Sequence, residues 1–313
     1  MPIDLKIFSG SANRQLAESI CRTLGIGLSR LTISRFSNDN LFVQIRENVR
    51  EKDVFVVQPF SAPVGDNMLE LFIILDALRS ASARRITAVI PYFSYARSDK
   101  KDAPRISIAG RLMADLIKTA GANRVLTMDL HSDAVHGFFS VPVDHLTAIP
   151  YFVEHFRDRM ELKRAVVVAT DAGGAKRAGR FAKRIHLPLA IIDKRRVADT
   201  AVVQGLVVGK VAGRDAIIFE DEISTGGTLA ESVKTLAAAG VNAIHVGATH
   251  GVLCGPAIKR LKDSPIASVV VTDTVYLPPE KQAQKIHTLS VAPLFAEAIR
   301  RIHTGESVGA LFD

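Results

Sequence analysis

Short, near-continuous apolar runs alternate with amphipathic helical segments along the whole chain, and this alternation restricts the fold more than any other feature. Runs at 5–8, 54–58, 86–91, 124–128, 165–169, 190–192, 216–219, 243–248 and 269–272 have the length of strands. Strands that are apolar throughout belong in parallel sheets with helices covering both faces. The helices between them have clear punctuation. Ser11 can cap a helix whose Leu16, Ile20 and Leu24 share one face before Gly25. Ser107 can cap a second, carrying Ile108, Leu112, Leu116 and Ile117 and stopped by Gly121. Thr228 to Ala239 repeats the plan with Leu229, Val233 and Leu236, stopped by Gly240. At 313 residues the chain is longer than one core sustains, because single cores stop growing near about 250–300 residues. The expected fold is α/β, with two tandem, mostly parallel sheets flanked by helices. The expected domains are 1–146 and 147–292, and a last amphipathic helix at 293–303 can cross back onto the first.

No apolar run approaches the ~18 residues a membrane span needs, and the start MPIDLKIFSG has neither a basic nor a long apolar stretch. Membrane insertion and secretion are therefore not expected. Two cysteines, Cys21 and Cys254, have no CxxC spacing and suit a reduced cytoplasm. The net charge of +8 raises nucleic acid as a partner. Its Lys and Arg residues, however, fall in short clusters at 97–101, 176–184 and 194–196, and the chain has no Trp. Stacking platforms for nucleic acid need aromatic rings. Small anionic substrates explain the charge better, and no nucleic-acid partner is expected.

Ligands in such sheets bind beyond the carboxyl ends of the strands, and the chemical residues gather there. The segment AIIFEDEISTGGT (216–228) ends an apolar run in two acids and then opens a helix through a Gly-rich turn. Gly226 and Gly227 let backbone close around a phosphate, with Thr225, Thr228 and the first N–H groups of the helix as donors. Glu220 and Asp221 can accept from vicinal sugar hydroxyls. An ordinary Gly-rich βα turn is the competing reading of that segment alone. Asp129-Leu-His131 places two metal-competent side chains on one side of a strand end, and Asp171 ends another strand. Carboxylate and water ligands suit Mg²⁺, whereas an imidazole is more readily a ligand of Mn²⁺. Taken alone, His131 reads more readily as a capping or core histidine than as a ligand. The run Asp193-Lys194-Arg195-Arg196 is either a solvated basic loop or a loop that closes over a phosphoryl group. Walker A and GxGxxG patterns are absent.

Together these segments resemble the ribose-phosphate pyrophosphokinases over nearly the full length. The resemblance rests on FSNDN (36–40), NMLELFIILDALRSASARRITAVIPYFSYAR (67–97), DLH (129–131), GFFSVPVDHL (137–146), TDAGGAKRA (170–178), DKRR (193–196), EDEISTGGT (220–228) and THGV (249–252). It implies two tandem phosphoribosyltransferase-type, Rossmann-like domains and transfer of the β,γ-diphosphate of ATP to O1 of ribose 5-phosphate, with release of AMP. It also implies a cytoplasmic homo-hexamer built from dimers. Phe36 would stack on adenine in a neighbouring subunit's site, with Asn38 and Asn40 beside it. Arg97 and Asp99 would meet ATP, with Ser98 in the same loop. His131 and Asp171 would serve Mg²⁺, or Mn²⁺ in its place. Lys194 and Arg196 would be the loop cations, and Glu220, Asp221, Ser224, Thr225, Gly226, Gly227 and Thr228 would hold ribose 5-phosphate.

Four positions depart from the commonest pattern of that family. Glu220 and Ser224 stand where Asp is usual, Ser98 where Gln is, and Asn40 where an acid is. These substitutions bear on affinity and nucleotide choice. Those at Ser98, Glu220 and Ser224 motivate one rival, a non-catalytic regulatory homologue; a second is a phosphoribosyltransferase that consumes the activated sugar. AMP release from ATP and ribose 5-phosphate separates the three.

Overall fold

Val54, Phe55, Val56 and Val57 are all fully buried, as a strand apolar on both faces must be when helices cover it. The computed structural model describes residues 4–193, 196–198, 201–202 and 205–311. It divides into two units. The first takes the residues up to Thr147, together with Thr274–Tyr276 and those from Ser290 onward. The second takes Ala148–Asp273 and Leu277–Leu289.

In chain order the first unit contains β1 (Leu5–Ser9), α1 (Arg14–Leu24), β2 (Leu31–Arg35), β3 (Leu41–Ile45), β4 (Asp53–Val57), α2 (Val64–Ser80), β5 (Arg85–Ile90), α3 (Ala109–Ala120), β6 (Arg124–Met128) and β7 (Val143–Leu146). Five strands form one all-parallel sheet in the order β1-β4-β5-β6-β7. One face of it packs Phe8, Val54, Val56, Ile86 and Ile90 against Leu71, Ile74, Leu75 and Leu78 of α2 and Met113 and Ile117 of α3. Each large apolar side chain buried this way contributes about 1.5–3 kcal/mol. β2 and β3 form a separate antiparallel hairpin, with Leu31 opposite Ile45 and Arg35 opposite Leu41.

The second unit contains α4 (Ile149–Arg159), β8 (Ala165–Ala169), α5 (Ala175–Ile185), β9 (Leu189–Asp193), β10 (Arg196–Ala198), β11 (Ala201–Val202), β12 (Leu206–Val208), β13 (Asp215–Glu222), α6 (Gly227–Ala238), β14 (Ala243–His250), α7 (Ala257–Asp263), β15 (Ser268–Thr272) and β16 (Ile286–Leu289). Its seven-stranded sheet runs β12-β9-β8-β13-β14-β15-β16, parallel except for β12. The last helix, α8 (Ala292–Thr304), packs on α1 in the first unit. It is tied to the first sheet at Asp53, whose Oδ2 lies 2.7 Å from His303 Nδ1 and which also receives Arg85 Nε at 2.8 Å.

Two expected caps fall elsewhere. Ser11 donates its hydroxyl to Glu70 at 2.6 Å, and Asn13 caps α1 by accepting from Leu16 N at 3.2 Å. A buried carboxylate demands donors, and Ser11 serves that demand instead of the helix. Ser107 does not cap α3 either. The helix begins at Ala109, whose N–H donates to Ser98 Oγ at 3.1 Å, so a residue nine positions upstream of Ser107 does the capping.

Candidate active site

In the second sheet the chain leaves β8 for β9 on one side and returns to β13 on the other. A crevice opens at such a switch point, beyond the carboxyl ends of the two central strands. Asp171 follows β8, and Glu220 and Asp221 lie at the carboxyl-terminal end of β13, which pairs with β8 in parallel. Sheet topology thus brings Asp171 to the same strand ends as Glu220 and Asp221, which lie 49 and 50 residues further along the chain.

These acids are held by specific partners. Asp171 Oδ1 accepts from Gly174 N at 2.8 Å, which closes the turn that starts α5. The first turn of α5 carries Arg177, whose Nη1 stands 3.0 Å from Asp221 Oδ1 and 3.3 Å from Glu220 Oε2. Thr170 donates its hydroxyl to the other Glu220 oxygen. Burial pushes the Glu220 carboxyl above the ordinary carboxylate range. The Thr170 hydroxyl and the Arg177 guanidinium oppose the shift, and the Asp221 and Asp171 charges add to it. The extra methylene of Glu220 lets both its oxygens reach protein partners. Asp221, only 3% exposed, sits one residue on in the strand and faces the same guanidinium.

After β13 the chain turns through Ser224 and Thr225 to Gly226, whose φ of +69° is left-handed and suits glycine. α6 starts at Gly227 with no side-chain cap. Among the described residues, the N–H groups of Thr225, Gly226, Gly227 and Thr228 donate to no protein acceptor. Four successive free amides at a helix start form a concave donor array for an anion, reinforced by the helix dipole. The turn is backed by residues that follow β14. Ile223 N donates to His250 O at 3.0 Å, Leu253 N to Ile223 O at 2.9 Å and Cys254 N to Ser224 O at 3.1 Å. Ser224 Oγ lies 3.2 Å from Cys254 Sγ, so this hydroxyl is shared with a thiol.

In the first unit, Phe36 occupies the tip of the β2–β3 hairpin and is 57% exposed, with an edge contact to Phe42 at 5.5 Å. A place in its own core is therefore excluded. Asn38 Oδ1 accepts from Asn40 N at 3.3 Å and shapes the tip, and Arg35 anchors the hairpin to Asp66 of α2 at 2.9 Å. Arg97 ends a 3₁₀ turn after β5, and Ser98 and Asp99 follow it. Ser98 caps α3, so its hydroxyl has a structural use that its position in the chain does not announce. Gly110 makes that loop possible: a Cβ there would meet Tyr95 O at 2.9 Å and Ser98 O at 3.1 Å. His131 follows β6, the neighbour of β5, and is exposed, which removes the core-histidine reading. The anchor of this loop is His145, whose Nε2 accepts from Leu130 N at 2.9 Å. Lys194 lies outside the described residues, as does the side chain of Arg196.

Among the described residues no three His, Cys, Asp or Glu side chains cluster to cage a metal. A hard cation held by one or two carboxylates, substrate phosphates and water needs no such cage, and Mg²⁺ binds in that way. Asp171 fits that role. Its Oδ1 takes Gly174 N, and among the described residues no protein donor takes its second oxygen.

Residues 5–121 match the family described as the N-terminal domain of ribose phosphate pyrophosphokinase, and residues 204–313 match the phosphoribosyl synthetase-associated domain. The chain is 52% identical to a ribose-phosphate pyrophosphokinase of Deinococcus radiodurans, covering 98% of each. It is 51% identical to a putative ribose-phosphate pyrophosphokinase of Streptomyces coelicolor, covering 99% of this chain and 98% of the relative. The crystal structure of phosphoribosylpyrophosphate synthetase from Mycobacterium smegmatis superposes with a TM-score of 0.90 at 39% identity, over 96% of this chain and 99% of that one. With identity of this order spread over both units, the chain belongs to the ribose-phosphate pyrophosphokinase family.

Proposed function

We infer that the protein is an ATP-dependent ribose-phosphate diphosphokinase, which joins the β,γ-diphosphate of ATP to O1 of ribose 5-phosphate and releases AMP. The observation that carries this reading is identity of about half the residues, over nearly the full chain, with relatives named for that activity. A regulatory homologue is not favoured, since such identity spans both units and the residues Asp171, Lys194, Arg196 and Asp221 are all in place.

The sugar hydroxyl is itself the nucleophile, so no protein nucleophile is required. The protein's task is to position two anions in line and to stabilise charge as the phosphoryl bond changes. The free amides of Thr225 to Thr228 and the hydroxyls of Thr225 and Thr228 take the 5-phosphate. Asp221 accepts from the ribose hydroxyls. Glu220, engaged by Thr170 and Arg177, supports Asp221 and the loop more than it meets the sugar. Arg97 and Asp99 attend ATP, and Phe36 offers an aromatic face to adenine with Asn38 and Asn40 at its edge. Lys194 and Arg196 supply positive charge to the diphosphate in the transition state. Mg²⁺ is the fitting cation: Asp171 would hold it beside the sugar and His131 would serve it beside ATP, where it would neutralise phosphate charge. A homo-hexamer built from dimers, working in the cytoplasm, completes this reading.

The test is incubation of the purified protein with ATP, Mg²⁺ and ribose 5-phosphate. AMP formed in equal amount to a phosphoribosyl diphosphate supports the reading, and absence of AMP with folded protein overturns it.

A further inference from the structure

We propose that Arg260, on α7, is a positioning residue for the sugar 5-phosphate, acting through the peptide unit between Thr225 and Gly226. This rests on the reading above that the 225–228 turn receives that phosphate. Arg260 Nη1 donates to Thr225 O at 2.9 Å. A peptide unit is planar and trans, so its C=O and the following N–H point in opposite directions. Pinning the Thr225 carbonyl from outside therefore aims the Gly226 N–H inward, where it has no protein acceptor among the described residues.

Gly226 has a left-handed φ of +69°, a conformation glycine leaves about as readily as it adopts. The turn thus depends on outside groups to hold one of several available peptide orientations. His250, Leu253 and Cys254 bind the main chain as far as Ser224, and Arg260 is the group that reaches past it to Thr225. Arg260 also stands over the helix start. A Cβ on Gly227 would lie 3.3 Å from Arg260 Nη1 and 4.0 Å from its Cζ. The guanidinium therefore brings positive charge to the rim of the amide array as well as fixing its geometry. A fixed donor array is worth more to an anion than one that must be ordered on binding.

Preorganisation of the ground-state site predicts a specific kinetic signature. Arg260→Ala should raise KM for ribose 5-phosphate about 10- to 100-fold, the scale for a charge-assisted hydrogen bond. It should change kcat at saturating sugar phosphate less than threefold and leave KM for ATP unaltered. Arg260→Lys should recover part of the loss, because a lysine ammonium can donate to one carbonyl but not span the turn. Arg260 is exposed, so both variants should unfold at the wild-type temperature without ligand, while the upward shift of that temperature by ribose 5-phosphate should shrink in Arg260→Ala. Thr228→Ala, measured alongside, tests the underlying reading. If Thr228→Ala raises KM for ribose 5-phosphate and Arg260→Ala leaves it within twofold, the role of Arg260 is wrong and the loop assignment stands. If both leave KM within twofold, the loop assignment itself fails. A fall in kcat with unchanged KM in Arg260→Ala would also overturn the proposal.

Discussion

Arg177 Nη1 lies 3.0 Å from Asp221 Oδ1, joining the first turn of α5 to the carboxyl-terminal end of β13. This ion pair fixes a buried carboxylate at the end of a central strand. The same guanidinium stands 3.3 Å from Glu220 Oε2, and the other Glu220 oxygen accepts from the Thr170 hydroxyl.

Asp221→Ala should lower kcat/KM for ribose 5-phosphate by about 10²-fold or more, and Ser224→Ala by less than about tenfold. A carboxylate accepting a hydroxyl contributes about twice what a neutral acceptor does, and Ser224 already shares its hydroxyl with Cys254. The two ratios are the measurement. Equal losses, or a larger loss at Ser224, would place the sugar elsewhere in the loop. Asp221→Asn should keep the fold if Asp221→Ala does not, because it preserves shape next to Arg177.

Glu220 gives stability a pH dependence of definite sign. Its folded carboxyl holds a proton above the ordinary value of 4.5. From about that pH upward the unfolded chain therefore ionises there while the folded chain retains the proton. The folded state then binds more protons, and stability falls as pH rises through that window. Urea denaturation of the wild type and Glu220→Gln across this range should show the variant gaining relative to wild type with rising pH. A constant difference between the two would refute the sign.

Phe36 should complete a neighbouring subunit's site. Two inactive proteins, Phe36→Ala and Lys194→Ala, should regain partial activity when mixed under conditions where subunits exchange. Failure to recover despite demonstrated exchange would mean each site is built within one chain. The basis is the 57% exposure of an aromatic ring at a hairpin tip with polar Asn38 and Asn40 beside it.

Lys194→Ala and Arg196→Ala should each lower kcat by about 10²–10³-fold, with KM changed far less. Groups that engage as charge develops act on the transition state more than on the bound substrate. A change confined to KM would remove the assigned role.

Legibility in the sequence followed burial. The strands at 124–128 and 165–169 coincide with β6 and β8, because a buried strand between helices is apolar along its length. β7, β16 and the β2–β3 hairpin carry no such run, and the apolar run of β12 is only three residues long. They are short or half-exposed, so tertiary pairing defines them and periodicity does not. Asp171, Glu220 and Asp221 were readable as a group because each ends an apolar run. The use of Ser98 to cap α3 and of His145 to anchor Leu130 was not, since each depends on loops folding back by 11 and 15 residues. Arg177 lay in a recognisable segment, yet only the pairing of β8 with β13 brings it to Asp221.

The most direct measurement is ³¹P NMR of the purified protein with ATP, ribose 5-phosphate and Mg²⁺, repeated after EDTA treatment in metal-free buffer. The expected result is loss of ATP with AMP and a phosphoribosyl diphosphate appearing in equal amounts, abolished by metal removal and restored by Mg²⁺. ADP with a singly phosphorylated new position on the sugar, or undiminished turnover without metal, would contradict diphosphoryl transfer as the function of this chain.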